Sequence, residues 1–207
     1  IEDTLSNIED SIAKTINRII LTKELPRKFS EDHFLIILFV ILTDIRNPTT
    51  IVQMKNYLEE MRKRVLELDP NADTNKFIPN PNHDEIIRLL FNNILDIAPV
   101  ILDLDYKILI NKTSTPFISS DFPVVKYNQY LELKKWPHSK TGYGSSGLQI
   151  FVPINHEILL TFFDKKIYKI GDKKKSIHNI INIKNINDIN KLQFLNCINT
   201  IYFDEKT

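Results

Sequence analysis

The chain of 207 residues contains only one cysteine, four glycines and no long uninterrupted run of apolar residues. A single cysteine excludes an internal disulfide framework, so we predict a reducing, cytoplasmic location, with Cys197 as a small core residue. The most apolar run, 34–42, has nine residues, whereas a membrane span needs ~20. We therefore expect a buried core helix at 34–42 and no contact with a membrane.

The sequence also lacks the usual patterns of metal and phosphate sites. No two of its five histidines have the i, i+4 spacing of a zinc-binding helix, and one cysteine cannot build a thiolate site. The glycine-rich stretch 142–147 is not followed by the Gly-Lys-Ser/Thr of a phosphate-binding loop. We predict no metal site and no cofactor.

Charge is distributed unevenly along the chain. Residues 1–104 hold 12 basic and 17 acidic residues, whereas residues 105–207 hold 15 and 9. The second half could therefore bind an anionic partner, such as a nucleic acid, or the two halves could attract each other. The sequence leaves both interpretations open.

Apolar residues in the first half recur at steps of three and four, the period of an amphipathic helix. This pattern predicts helices over 4–22, 31–44, 51–68 and 83–98, with a proline- and asparagine-rich loop at 69–81. Ser30 precedes the second of these helices and is a good N-cap residue.

The second half changes to the alternating, β-branched pattern of strands. The predicted strands are 106–110, 116–119, 123–127, 148–153, 157–163, 165–170 and 199–203, with a helix over 186–198. Helices first and strands later indicate an α+β fold. We expect one domain, 1–207, in which a helical half (1–104, a bundle of about four helices) packs on a mostly antiparallel sheet (105–207) with one late helix.

The stretch STPFISSDFPVV, 114–125, breaks a strand pattern in its middle. Pro123 cannot donate a ladder hydrogen bond, and Ser120 and Asp121 can bond to their own backbone. One interpretation is a kink between two strands. The other is a functional hydroxyl and carboxylate presented at a sheet edge.

Several short motifs occur in a characteristic order: Ile8-Glu9-Asp10, Arg46-Asn47-Pro48, Phe117 to Pro123, Phe151-Val-Pro-Ile154 and Ile186 to Asn190. In this order they resemble the bacterial family called domain of unknown function 4238 (DUF4238). Two departures are the missing N-terminal His/Pro/aromatic motif and Val-Pro-Ile in place of Phe-Pro-Leu. The resemblance covers nearly the whole chain and implies no known activity.

The motif residues suggest three alternatives. Arg46 and Asp121 could form a buried ion pair that joins the helical half to the sheet. Alternatively, Asp121 could act as a base or metal ligand, with Ser120 beside it, Arg46 holding an anion and Asn190 orienting the substrate. In the third alternative these residues never meet.

A long connection, 127–147, interleaves cationic and aromatic side chains. Lysines attract phosphates and aromatic faces stack on bases, so a nucleic-acid or nucleotide contact is reasonable. The competing interpretation is a mobile hairpin tip whose tryptophan packs back on the sheet. The candidate binding residues are Lys134, Lys135, Trp136, Lys140 and Tyr143.

These observations lead to two functional hypotheses. The first is a non-catalytic binding module that engages a protein or an anionic polymer through the 127–147 loop. The second is an enzyme acting on nucleic acid or nucleotides, with its site around Asp121, Arg46 and Asn190. The sequence favours the first hypothesis.

Overall fold

The computed structural model describes residues 2–204, without the side chains at 2–5, 48, 49, 83, 84 and 87. Helices fill the first half of this described chain. They are α1 (Glu2–Thr22), α2 (Glu31–Ile45), α3 (Pro48–Leu68), α4 (Thr74–Phe77), α5 (His83–Asn92) and α6 (Ile94–Asp103).

The second half forms a sheet with two further helices. Its elements are β1 (Asp105–Asn111), β2 (Ser119–Ser120), β3 (Val125–Tyr127), α7 (Gln129–Leu133), β4 (Gln149–Pro153), β5 (Ile158–Phe163), β6 (Ile177–Ile180), α8 (Ile183–Asn196) and β7 (Ile201–Tyr202). The main sheet has the order β3-β4-β5-β1-β6 and is antiparallel except for the β1–β6 pair. β2 and β7 form a separate antiparallel pair. The predicted α+β class and the mostly antiparallel sheet are confirmed.

Helix α2 lies at the centre of the helical half because its sequence is apolar on most faces. The Ser30 side chain accepts a hydrogen bond from the His33 N–H and so caps the helix, as predicted. Ile36, Ile37, Val40 and Ile41 are fully buried along its length. No single helix in the described chain is long and apolar enough to cross a membrane; α2 and residues 50–68 satisfy that test only as a pair bent by 66°.

The main sheet is buried on both faces, because alternate residues of each strand point to opposite sides. On one face, Ile108, Ile150 and Phe162 share a core with α1, α2, α5 and α6. On the other face, Leu109 and Leu159 pack with α8 through Ile186. The two halves of the chain therefore share one continuous core.

Three sequence predictions need correction, and one strand was missed. The predicted helix 83–98 is broken at Asn93, which ends α5 and begins α6. The predicted strand 165–170 is a turn, since the Asp164 carboxylate accepts from the Lys166 N–H and folds the chain. Strand β6 was not predicted at all. Cys197 is only partly buried and caps the C-terminus of α8.

His33 is fully buried near the start of α2. Its Nδ1 accepts a hydrogen bond from the Phe29 N–H at 3.0 Å, so the neutral ring carries its proton on Nε2. The ring stacks on Tyr106 with 4.2 Å between centroids. Burial, with a smaller contribution from the nearby Lys28 ammonium, lowers the pKa of His33 to about 4.

We expect the stability of the protein to fall as the pH drops from 6.5 to 4. In this window the unfolded chain protonates His33, whose pKa there is about 6.5, but the folded protein does not, so acid favours unfolding. Between pH 7 and pH 5 this residue should account for a loss of about 2 kcal/mol of unfolding free energy. Urea denaturation at both pH values measures the loss.

The control for this prediction compares two single variants. His33→Phe should remove the acid-dependent loss, whereas His138→Gln, at an exposed loop position, should retain it. Equal pH dependence of the wild-type protein and His33→Phe would show that His33 is not the titrating group.

Candidate functional site

The kink at Ser120 is held by its own side chains. The buried Ser120 hydroxyl oxygen accepts hydrogen bonds from the Phe122 N–H, at 3.1 Å, and from the Gln193 side-chain amide. The Asp121 carboxylate accepts from the N–H groups of Ile198, at 3.1 Å, and Asn199, at 2.8 Å. These backbone donors, the Ile198 N–H foremost, hold the pKa of Asp121 below its usual value.

Three amide side chains of α8 bind the irregular segment 116–124. The Asn190 amide donates to the Pro116 carbonyl, at 2.8 Å, and accepts from the Ile118 N–H, at 3.1 Å. Gln193 and Asn196 both donate to the Phe122 carbonyl, at 3.0 and 2.8 Å. Since the three residues are three positions apart, they lie along one side of α8 and supply partners to the backbone on either side of β2.

The predicted ion pair between Arg46 and Asp121 is wrong. The Arg46 guanidinium instead pairs with Glu9 of α1, and both side chains are about half exposed. The neighbouring residue, Asn47, makes the contact to the kink, donating from its side-chain amide to the Asp121 carbonyl at 3.1 Å. Asn47, and not Arg46, therefore connects the end of α2 to the kink.

A different ion pair joins the helical half to the sheet. The buried Asp44 carboxylate, in the last turn of α2, lies 2.6 Å from the Lys126 ammonium of β3. The Tyr143 hydroxyl donates to the same oxygen, Oδ2, at 2.6 Å, and the Lys126 ammonium lies 4.7 Å from the centre of the Tyr143 ring. Burial, reinforced by the Asp44 charge, raises the pKa of Tyr143 well above its usual value. We call this set the Asp44 junction.

The basic-aromatic loop, 127–147, is folded rather than structureless. It contains α7, and the buried Asn128 side chain donates to the carbonyls of Lys140, at 2.9 Å, and Ser146, at 3.0 Å. Gly147 closes the loop with φ +79°, where an added Cβ would lie 2.9 Å from the Tyr130 Cβ.

The predicted binding residues of this loop divide into two groups. Tyr143 points inward to the Asp44 junction, so its contact is structural. Lys134, Lys135 and Trp136 are exposed, and Lys140 is partly exposed. Trp136 retains 47% of its accessible surface, and its ring lies edge-on to that of His138 with 5.7 Å between centroids.

A lysine-rich turn, 164–175, lies directly beside the loop. The Tyr130 N–H donates to the Tyr168 hydroxyl at 2.9 Å, and the Gly147 N–H donates to the Asp164 carboxylate at 3.0 Å. The loop and the turn together hold nine lysines and three acidic residues, which is the whole positive excess of the second half. We call the exposed surface of the two segments the basic face.

Three positions in the turn extend the basic face beyond the residues that the sequence singled out. Lys165, Lys166 and Lys169 are exposed. Reasoning from sequence missed them because 165–170 was interpreted as a strand. The six lysines within 164–175 were the sequence feature that could have indicated this part of the basic face.

Among the residues with described side chains, no group of three or more His, Cys, Asp or Glu residues is placed to hold a metal ion.

Comparison with protein families gives one result for the whole chain. The family model described as a protein of unknown function, DUF4238, matches residues 1–207. Comparisons with curated proteins and with solved structures gave no significant match.

The Asp44 junction makes a prediction about stability. Asp44→Asn should lower the unfolding free energy by about 3 kcal/mol, because it leaves the Lys126 ammonium beside a neutral amide. Glu9→Gln is the control, since it breaks the surface pair with Arg46 and should cost less than about 1 kcal/mol. Denaturant unfolding measures both, and a larger loss from Glu9→Gln would contradict the assignment.

Proposed function

Because the chain belongs to DUF4238, a family of proteins of unknown function, we propose a role from its own surface: it is a non-catalytic module that binds single-stranded nucleic acid on the basic face. The observation that carries the proposal is the contact between the loop and the lysine-rich turn through Tyr130 and Tyr168. This contact concentrates charge that the sequence distributes over two separate segments.

The charge of the basic face supports an anionic polymer as the ligand. Outside the loop and the turn, the second half has equal numbers of basic and acidic residues. Exposed ammonium groups that neutralise phosphates release the counterions condensed on the strand, which supplies most of the affinity in sequence-independent binding. The exposed Lys134, Lys135 and Lys166 are free of ion pairs among the described side chains.

The aromatic side chain on the basic face favours a single strand over a duplex. Trp136, exposed between Lys135 and Lys140, offers a ring face on which an unpaired base can stack. Such stacking contributes about 1–3 kcal/mol per base and tolerates any sequence. In a duplex the base faces are already stacked, so this contribution requires unpaired bases.

The alternative of an enzyme centred on Asp121, Ser120, Arg46 and Asn190 has no supporting contact among the described residues. Both Asp121 oxygens accept backbone N–H groups, and Arg46 pairs with Glu9. The Asn190 amide uses its oxygen and its nitrogen on the backbone of 116–118. These contacts support a structural role for the motif, and we do not propose a reaction.

The proposal predicts salt-dependent binding of a fluorescent oligothymidine of about 15 nucleotides. Each lysine that contacts a phosphate contributes about 0.7 to the slope of log affinity against log salt concentration. The triple variant K134Q/K135Q/K140Q should therefore lower the slope by about 2. Fluorescence anisotropy between about 50 and 300 mM NaCl measures it.

The control removes the same charge elsewhere. K55Q/K63Q/R64Q, on the exposed surface of α3, should leave the slope nearly unchanged. Trp136→Ala should weaken binding about 5- to 150-fold at constant salt slope, because it removes stacking but no charge. Affinity that does not change with salt concentration would refute the proposal.

A further inference from the structure

A lysine lies inside the sheet where a strand residue is expected to be apolar. Lys107, in the middle of β1, faces the same side of the sheet as Leu109 and retains only 4% of its accessible surface. Its ammonium donates to two main-chain carbonyls of the lysine-rich turn, those of Asp172 and, at 2.8 Å, Lys175. Lys107 thereby anchors the turn to the sheet.

The charge of Lys107 is not neutralised by a direct partner. Among the described side chains, no carboxylate lies within 4.0 Å of its ammonium. The Asp105 and Asp172 carboxylates favour the charge of Lys107 from beyond contact distance. Both have other partners, since the Asp105 carboxylate pairs with Lys28 and that of Asp172 accepts from the Lys174 N–H. Burial still disfavours the ammonium, so an anion in direct contact with it would be favourable. Its hydrogen bonds to two carbonyls leave one of its three N–H groups without a partner among the described residues.

A small pocket opens at this position, where β1 and β5 meet the lysine-rich turn. Its volume is about 110 Å³, and its walls carry four lysines and one aspartate: Lys107, Lys165, Lys169, Lys173 and Asp105. The aliphatic and aromatic parts of the wall come from Phe163, Tyr168 and Ile170. The pocket is smaller than the ~300 Å³ of typical organic-ligand sites, so it suits one compact anion rather than a whole nucleotide.

The pocket is continuous with the basic face. Tyr168 lines the pocket and also accepts the hydrogen bond from the Tyr130 N–H of the loop. Lys165 and Lys169 belong to both surfaces. The pocket therefore adjoins the basic face.

We propose that the pocket beside Lys107 binds a phosphate monoester, the terminal phosphate of the strand held by the basic face. A terminal phosphate carries close to two negative charges at neutral pH and has three unsubstituted oxygens, whereas an internal phosphodiester carries one charge. The terminal phosphate therefore matches the net positive charge of four lysines and one aspartate better than an internal phosphodiester does. The identity of the polymer rests on the proposed function, but the binding of phosphate rests on the pocket alone.

The first experiment titrates the protein with inorganic phosphate at pH 7 and follows backbone amide NMR shifts. Sodium chloride at matched ionic strength provides the reference. Saturable shifts are expected around residue 107 and in 165–175. Shifts that rise without saturation, or equal shifts with chloride, would overturn the pocket assignment.

Matched variants distinguish phosphate binding in the pocket from general electrostatic attraction by the lysine-rich turn. K169Q/K173Q removes two pocket lysines and should weaken phosphate binding at least tenfold, while Lys107 keeps its contacts to the turn. K174Q/K175Q removes the same charge from the same turn at positions that do not line the pocket, and should change binding less than twofold. Equal weakening by both pairs would overturn the proposal.

Lys107→Met should abolish phosphate binding, provided that its NMR spectrum shows the folded sheet.

A second experiment distinguishes the failure of this inference from the failure of the proposed function. Oligothymidines with and without a 5′ or 3′ terminal phosphate are compared on the wild-type protein and on K169Q/K173Q. We expect tighter binding of one phosphorylated form, lost in K169Q/K173Q. Equal binding of all forms, with no effect of K169Q/K173Q, overturns the pocket inference alone. Saturable phosphate binding without oligonucleotide binding supports the pocket but refutes the polymer.

Discussion

The Asp44 junction connects three parts of the molecule through one carboxylate. Asp44 belongs to the central helix, Lys126 to the edge strand β3 and Tyr143 to the basic-aromatic loop, and both partners contact the same oxygen. The other oxygen has no hydrogen-bond partner among the described residues. Removing the carboxylate would leave a partly buried ammonium and a phenol without their acceptor. The position of the loop, and hence of its exposed lysines, therefore depends on the helical half of the chain.

The segment around Asp121 and the late helix have a structural explanation that does not require catalysis. In segment 116–124 only β2 pairs with another strand, so the backbone groups on either side of it need other partners. Asn190, Gln193 and Asn196 of α8 provide them, and Asp121 in turn caps the backbone at 198–199. The kink and the late helix therefore stabilise each other through these hydrogen bonds.

The sequence predicted the elements whose apolar period is strong. The helices α1, α2 and α3 and the strands β1, β4 and β5 lie close to their predicted ranges, because their buried residues repeat at the spacing of the element. Strand β6 was missed because its sequence, Ile-His-Asn-Ile, has apolar residues only at its ends and depends on pairing with β1. Such pairing is a tertiary effect that local propensity does not contain.

The candidate site was predicted only in part, for a related reason. The exposed Lys134, Lys135 and Trp136 were identified, since composition alone marks a cationic and aromatic loop. The partner of Arg46 was assigned wrongly because a charge pattern does not specify which of several acidic residues lies nearby. Asp44 and Lys126, separated by 82 positions, and the buried Lys107 become conspicuous only when the sheet places them next to their neighbours.

The placement of Trp136 has a practical consequence for solution studies. It is the only tryptophan of the chain, and it lies on the surface of the loop rather than in the core. Its intrinsic fluorescence therefore reports the surroundings of the loop and responds little to changes in the packing of the sheet and the helices. Occupancy of the surface and integrity of the fold can be recorded as separate optical signals, the first from indole emission and the second from far-ultraviolet circular dichroism.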